Sequence, residues 1–155
     1  MPSTIFVWKH ASLTKNEIMG KHTITTIHNN AMHFTATISG HPVLMDTADE
    51  GGSDLGPSPK RLMLASLAGC TGMDIVSILH KMKVPFSEFA LEVSAALTDE
   101  HPKIYKDVKI TYRIKLADVH KDKMQKAVNL SQDKYCGVSA MFKSFSKIVT
   151  EIIYV

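Results

Sequence analysis

The first part of the chain alternates between apolar and polar residues with the period of two that is typical of β-strands. In residues 32–38, apolar side chains occupy every second position. Residues 22–27 and 41–46 are also strand-like, and the pairs Asn29-Asn30 and Ser39-Gly40 separate the three segments as tight turns. The pattern predicts a three-stranded antiparallel meander.

A long apolar segment follows a loop rich in Gly, Pro, Ser and Asp. Ser58 is a suitable N-cap and Pro59 suits the first helical position, so a helix is expected over residues 60–82. Residues 62–70 are apolar on nearly every face, which predicts a helix buried on all sides. Its small residues would let a second helix, one from a partner subunit, approach closely.

The rest of the chain predicts two further strands, two helices and a last strand. Residues 88–97 and 108–116 alternate again, with one dry and one wet face each. A helix from Asp118 to Lys134, capped by Asp118, and a short helix that starts at Cys136 are expected next. The order is βββ-α-ββ-αα-β, an α+β domain with an antiparallel sheet and a long buried central helix.

The N-terminal residues are less regular than the rest. Residues 1–21 are expected to form an extra strand or an extension, with Met19 as an alternative start, and residues 22–155 a single domain. The N-terminal residues lack the basic and apolar regions of a secretory signal. Because the chain has only two cysteines and no export signal, we expect it in the reducing cytoplasm.

Composition and charge exclude several partners. The 155 residues are 45% hydrophobic and 21% charged, which is ordinary for a globular protein. The formal net charge is only +3 and the lysines are spread along the chain, so no nucleic-acid partner is expected. No uninterrupted apolar run reaches the roughly 18–20 residues of a bilayer span, so no membrane is expected either.

The two cysteines are the main candidates for chemistry. Cys70 lies inside the long helix, as either a small buried hydrophobe or a nucleophile. Cys136 opens a short helix, where free backbone N–H groups could stabilise a thiolate, or where it is simply an unreactive first residue. The pair forms no C-x-x-C motif and none of the eight histidines has metal-ligand spacing, so no metal site is expected.

Two segments around these cysteines resemble signatures of the OsmC/Ohr family, the osmotically induced and organic hydroperoxide resistance proteins. Residues 51–79 read GGSDLGPSPKRLMLASLAGCTGMDIVSIL, a Gly-rich loop and Gly-Pro-x-Pro turn before a helix with the first cysteine. Residues 134–142 read KYCGVSAMF, in which Gly137 replaces the proline of a Cys-Pro-x-Ser context and Ser139 matches. The resemblance extends over residues 24–155.

The resemblance implies an OsmC-like intertwined homodimer whose two long helices cross at the centre, with Cys70 and Cys136 in each interfacial site. In the peroxidase branches the first cysteine attacks a hydroperoxide, and the second resolves the sulfenic acid as a disulfide. A dithiol reductant then resets the pair, and no cofactor is implied.

This sequence departs from those branches at two supporting positions. They use an arginine from the meander to stabilise the thiolate and a glutamate after the Gly-Pro-x-Pro turn to orient that arginine. Here no arginine precedes Arg61, and Lys60 occupies the acidic position. Nine or ten residues of helix separate Lys60 and Arg61 from Cys70 by about 14–15 Å, so only a crossing helix or a fold-back could bring them together, with Glu50 as a possible partner of the cation. Otherwise they form a solvated first turn.

Two functions remain open. Both cysteines are present, which favours a thiol-dependent peroxidase that reduces organic hydroperoxides through Cys70 and Cys136. The missing arginine and the reversed charge at Lys60 favour a non-peroxidase relative that binds a small apolar ligand at the dimer interface.

Overall fold

The computed structural model describes residues 20–155, which fall into two compact units that meet between Pro57 and Ser58. The predicted order βββ-α-ββ-αα-β is confirmed. Residues 1–19 of the predicted extension lie outside the described residues. The strands are β1 (Thr25–Asn30), β2 (His33–Ile38), β3 (His41–Met45), β4 (Ser87–Leu97), β5 (Tyr105–Lys115) and β6 (Ile148–Tyr154). The helices are α1 (Pro59–Lys81), α2 (Lys121–Leu130) and α3 (Gly137–Lys143).

The first unit is the predicted antiparallel meander, in the order β1-β2-β3. The tight turn at Ser39-Gly40 is confirmed, with φ values of 49° and 84°. Positive φ at both central residues is what a two-residue hairpin turn requires. The prediction of a turn at Asn29-Asn30 is wrong, because Asn30 still pairs with His33. The chain turns at Ala31, whose φ is 45°. An irregularity between His28 and Asn30 lengthens β1 past the predicted end.

The loop after β3 is organised by the buried carboxylate of Asp46. It accepts hydrogen bonds from the backbone N–H groups of Thr47, Leu55 and Ser53 at 2.8, 3.1 and 3.3 Å. Burial would raise the pKa of Asp46, but these three donors outweigh it and hold the pKa below its usual value. One ionised side chain therefore fixes the course of the loop.

The second unit contains the other sheet, with β5 between β4 and β6. The predicted alternation of β5 is confirmed, since Val108, Ile110, Tyr112 and Ile114 are fully buried. The fully antiparallel sheet is wrong, because β6 pairs with β5 in parallel. Parallel neighbours need a long crossover, and the helical residues between β5 and β6 supply it.

The central helix α1 forms the core of this unit. It begins after Ser58 with Pro59 in its first turn, as predicted, although the Ser58 side chain makes no capping bond. Fully buried Leu67, Ile75 and Leu79 pack into the hydrophobic core, and burial of each such side chain stabilises the fold by about 1.5–3 kcal/mol. The buried residues of α1 are Leu67, Thr71, Gly72, Ile75, Ile78 and Leu79.

Within the single chain, α1 is buried on one side only, and the predicted cover from a partner subunit stays a prediction. Its opposite face is open, and Met73 on that face is 72% exposed. On the packed side, Gly72 lets α1 approach β4 closely, since a Cβ there would lie 3.2 Å from Leu91 Cδ1. By length and composition α1 is the one helix of residues 20–155 that could cross a bilayer. Its buried face places it in the core of this unit.

The helix predicted from Asp118 to Lys134 consists of three consecutive helical segments. Asp118–His120 form a 3₁₀ turn, α2 follows, and Ser131–Tyr135 form a wider π-helical turn. Asp118 is not the cap of α2, because His120 occupies that position. Turns of the π type are rare and frequently lie at functional sites.

Candidate functional site

The fold brings the two cysteines together from separate helices. Cys70 is in the middle of α1, and Cys136 lies between the π-helical turn and α3. Both thiols are free, and they lie close to each other. The sulfur atoms of Cys70 and Cys136 and a carboxylate oxygen of Asp74 all lie within 4.8 Å of one another. The predicted proximity of the two cysteines therefore exists within one chain.

The backbone around Cys136 directs its sulfur inward. The N–H of Cys136 donates to the carbonyl of Ser131 at 2.9 Å, which closes the wide turn. Cys136 is the N-cap of α3, and the N–H of Ser139 donates to its Sγ at 3.3 Å. The predicted position of Cys136 at the start of a short helix is confirmed. Its side chain is only 3% exposed, whereas Cys70 is half-buried.

The surroundings of Cys70 favour its protonated form. Burial raises the pKa of the Cys70 thiol, and the adjacent thiol of Cys136 and the nearby carboxylate of Asp74 raise it further. The backbone N–H of Val138 acts in the opposite direction but does not outweigh them. The pKa of Cys70 therefore lies above the ordinary value of a cysteine thiol.

A chain of hydroxyl groups leads from the core to Asp74. The oxygens of Thr71 and Tyr112 are 2.9 Å apart, those of Thr71 and Ser131 are 2.9 Å apart, and Ser131 Oγ lies 3.0 Å from Asp74 Oδ2. A carboxylate can only accept, so the single Ser131 proton points to Asp74. Ser131 must then accept from Thr71, and Thr71 must accept from Tyr112.

The remaining contacts agree with this direction. The side-chain amide of Gln132 donates to both Thr71 Oγ1 and the Tyr112 hydroxyl, at 3.2 and 3.1 Å. Burial raises the pKa of Tyr112, so its hydroxyl keeps the proton that it donates. We call Tyr112, Thr71, Ser131 and Asp74 the hydroxyl relay. It fixes the carboxylate of Asp74 beside the two thiols.

The hydroxyl relay was not predicted from the sequence. Thr71 and Asp74 are polar residues inside an otherwise apolar helical segment, and Asp74 lies one helical turn after Cys70. That spacing is a signal that Asp74 shares the face of Cys70. Ser131 and Tyr112 could not be found this way, because they are 60 and 41 positions from Thr71.

The three predicted supporting residues lie apart from this cluster. Lys60 and Arg61 are exposed in the first turn of α1, about 14–15 Å along the helix from Cys70. Neither makes an ion pair or a side-chain hydrogen bond with another residue of the described range 20–155. Glu50 is exposed in the other unit. Supporting roles for Glu50, Lys60 and Arg61 stay predictions.

Two cavities of the second unit lie along α1 beyond its first turns. One, of about 320 Å³, reaches Asp74 and is lined also by Ser77, Lys81, Leu130 and Tyr135. The other is an open groove of about 750 Å³ between the exposed face of α1 and β4. Its lining is mostly apolar and includes Gly69, Met73, Val76, Phe89 and Leu91. We call this second cavity the α1–β4 groove.

Known proteins share this architecture and parts of this sequence. Residues 51–151 match the family model described as OsmC-like protein. Protein YhfA of Escherichia coli K12 is 30% identical over 105 residues, which cover 68% of this chain and 76% of YhfA. An OsmC-like protein of Mycoplasma pneumoniae superposes with a TM-score of 0.77 at 13% identity, over 89% of this chain and 99% of that one.

A second similar structure was solved with a small molecule. It is a putative organic hydroperoxide resistance protein of Vibrio cholerae, with captopril bound in one of the active sites. It superposes with a TM-score of 0.60 at 13% identity, over 89% of this chain and 96% of that one. At this identity the likeness concerns the fold.

Proposed function

This chain belongs to the OsmC-like protein family, and from that premise we propose that it reduces organic hydroperoxides through a Cys70–Cys136 thiol pair. The observation that carries the proposal is the contact between the two free thiols, with a carboxylate within 4.8 Å of both. Cys70 is the nucleophile, because its side chain is the more exposed of the two. Cys136, which is 3% exposed, is the resolving thiol.

The reaction proceeds in three balanced steps. The Cys70 thiolate attacks the distal oxygen of the hydroperoxide and the O–O bond breaks, which gives a sulfenic acid on Cys70. The departing alkoxide takes up one proton and leaves as an alcohol. The thiol of Cys136 then attacks the Cys70 sulfenic acid, which forms a disulfide and releases water. A dithiol reductant finally reduces the disulfide and is itself oxidised.

The first step requires a proton acceptor, because the surroundings of Cys70 hold its pKa above the ordinary value of a cysteine thiol. The family's thiolate-stabilising arginine is missing from the meander, since no arginine precedes Arg61. Asp74 is the group positioned to take the proton, within 4.8 Å of both sulfurs and oriented by Ser131. General base catalysis by Asp74 thus takes the place of electrostatic activation by an arginine.

Assembly into a homodimer in the cytoplasm belongs to the same proposal. The exposed face of α1 carries Met73, Gly69 and Val76 along the α1–β4 groove. An apolar helix face of this kind is suited to pack against a second α1. The small residue Gly69, which has open space around its Cα, would permit a close crossing.

A second candidate function is the binding of a small apolar ligand without peroxide chemistry. The α1–β4 groove favours it, with a volume in the range of small-molecule sites and a mostly apolar lining. The raised pKa of Cys70 and the absence of an early arginine point the same way. The bound captopril in the Vibrio cholerae protein is consistent with small-molecule binding in this fold.

The test is the consumption of cumene hydroperoxide by the purified chain with a dithiol reductant. Turnover should be lost in Cys70→Ser, while Cys136→Ser should accumulate one oxidised Cys70 that a sulfenic-acid reagent labels. Hydrogen peroxide serves as the comparison substrate. Wild-type turnover no greater than that of Cys70→Ser would refute the peroxidase and leave ligand binding.

A further inference from the structure

We propose that the reduced cluster of Cys70, Asp74 and Cys136 binds a thiophilic divalent cation such as Zn²⁺, through two thiolates and one carboxylate. The sequence spacing predicts no metal site, since the two cysteines are 66 positions apart and no histidine accompanies them. The fold nevertheless brings three metal-ligating side chains of the described residues together. Two sulfurs and one oxygen are a ligand set that suits Zn²⁺.

The distances allow all three side chains to reach one ion. In a tetrahedral zinc site with Zn–S near 2.3 Å and Zn–O near 2.1 Å, ligand atoms lie about 3.5–3.8 Å apart. The three ligand atoms already lie within 4.8 Å of one another, so no pair has to close by much more than about 1 Å. Small side-chain rotations suffice for this. Three protein ligands leave the fourth position for water or an external thiol.

The hydrogen bonds around the cluster are those expected around a metal site. Two of the three ligand residues have a donor of their own, namely Ser131 Oγ for Asp74 and the Ser139 N–H for Cys136. Outer donors of this kind orient carboxylates and neutralise part of the charge on thiolates. The hydroxyl relay thus holds Asp74 as it would hold a metal ligand.

Charge balance also favours a cation. With both thiols ionised, the three ligands carry a formal charge of −3. Asp74 takes part in none of the five ion pairs formed by residues 20–155. A divalent cation would offset most of this charge, and each thiol that becomes a ligand gives its proton to solvent.

Metal binding and disulfide formation then exclude each other, because both use the same two sulfurs. The cation would protect the pair from oxidation, and oxidation would release the cation. This inference does not depend on hydroperoxide as the substrate. A chain without peroxidase activity would still bind the ion, so the two proposals fail separately.

The experiment uses the reduced full chain without peroxide. Zn²⁺ uptake is measured by calorimetry in two buffers, to count protons, and Cd²⁺ uptake by its thiolate charge-transfer absorbance. One ion per chain is expected, with at least one proton released. Asp74→Asn should weaken binding at least about tenfold, since even outer partners are typically worth ten- to hundredfold. Asp122→Asn, an exposed aspartate on α2, is the matched control and should bind as the wild type.

A second arm requires no substitution and guards against misfolded variants. The wild-type chain oxidised to the Cys70–Cys136 disulfide should lose uptake, and reduction should restore it. The proposal is overturned if the reduced wild type takes up no ion, if the oxidised chain binds equally well, or if folded Asp74→Asn keeps the wild-type affinity.

Discussion

The hydroxyl oxygen of Ser131 lies 3.0 Å from Oδ2 of Asp74, so a residue of the π-helical turn orients a carboxylate on α1. Ser131 is itself held by Thr71, and Thr71 by Tyr112 on β5. The position of Asp74 beside the thiols is therefore set by three separate elements of the fold. A base held in this way loses no free energy to reorientation when it accepts a proton.

Replacement of Asp74 by Asn should slow the reduction of an organic hydroperoxide. Loss of a general base typically costs about 10²–10⁴ in rate, and kcat/KM at neutral pH should fall within that range. Steady-state kinetics with cumene hydroperoxide measure it. Asp122→Asn, which removes an exposed carboxylate from the same unit, should leave kcat/KM unchanged.

The reactivity of Cys70 distinguishes two roles of Asp74, that of a general base and that of a negative charge that only shifts the pKa of Cys70. Because the Asp74 carboxylate raises the pKa of Cys70, its removal must lower that pKa. Alkylation of Cys70 by iodoacetamide, followed against pH in the Cys136→Ser background, should show this downward shift. If Asp74 acted through charge alone, Asp74→Asn would then react faster with hydroperoxide at neutral pH, and that result would contradict the role as base.

Replacement of Thr71 by Val should destabilise the second unit through the hydroxyl relay. The valine keeps the shape but leaves the buried hydroxyl of Tyr112 and the amide of Gln132 without their Thr71 partner. An unsatisfied buried polar group costs about 1–3 kcal/mol, so the free energy of unfolding in urea should fall by that amount. Thr111→Val on β5, whose side chain has no hydrogen bond among the described residues, should change it by less than about 0.5 kcal/mol.

Replacement of Met73 by Lys should separate the proposed dimer. Met73 is 72% exposed on the apolar face of α1, and each copy would bury one. Since burial of a methionine is worth about 1.5–3 kcal/mol, loss of two should weaken dimerisation at least about hundredfold. Sedimentation velocity tests this, with Val119→Lys as the control because Val119 is 78% exposed outside α1. A monomeric wild type would refute the proposed assembly.

Acid should open the loop after β3 by protonating Asp46. The pKa of Asp46 is lower in the folded chain than in the unfolded one, so the carboxylate stabilises the loop above the unfolded value of about 3.9. That stabilisation is lost as the pH falls through the folded pKa. NMR shifts of the Ser53 and Leu55 amides should report the loss as the pH falls below about 4. In Asp46→Asn this titration should disappear, whereas Asp54→Asn should retain it.

Most of the fold was predicted from the local periodicity of apolar and polar residues. The alternation in β5 is confirmed because its inward side chains pack on α1, and the start of α1 follows from Ser58 and Pro59. The direction of β6 is not a local property, since it depends on the crossover from β5. The turn at Ala31 was missed because the asparagine pair before it has the higher turn propensity, and pairing of Asn30 with His33 overrides that preference.

The site was predictable only in part. The cysteines could be identified because their sequence contexts are unusual. Asp74 could be inferred from one helical turn of spacing, but Ser131 and Tyr112 reach Thr71 from 60 and 41 positions away. The exposed face of α1 was not predicted for a different reason. An apolar pattern predicts that a helix face is buried, but it does not say whether the same chain or a second chain covers that face.

The π-helical turn at Ser131–Tyr135 contains one residue more than an α-helical turn would use. Each residue of helix rotates the next side chain by about 100°. Deletion of a single residue within 132–135 would therefore turn Cys136 away from α1 while both cysteines remain in the chain. The length of this turn, counted in residues, thus decides whether two thiols that are far apart in the sequence face each other.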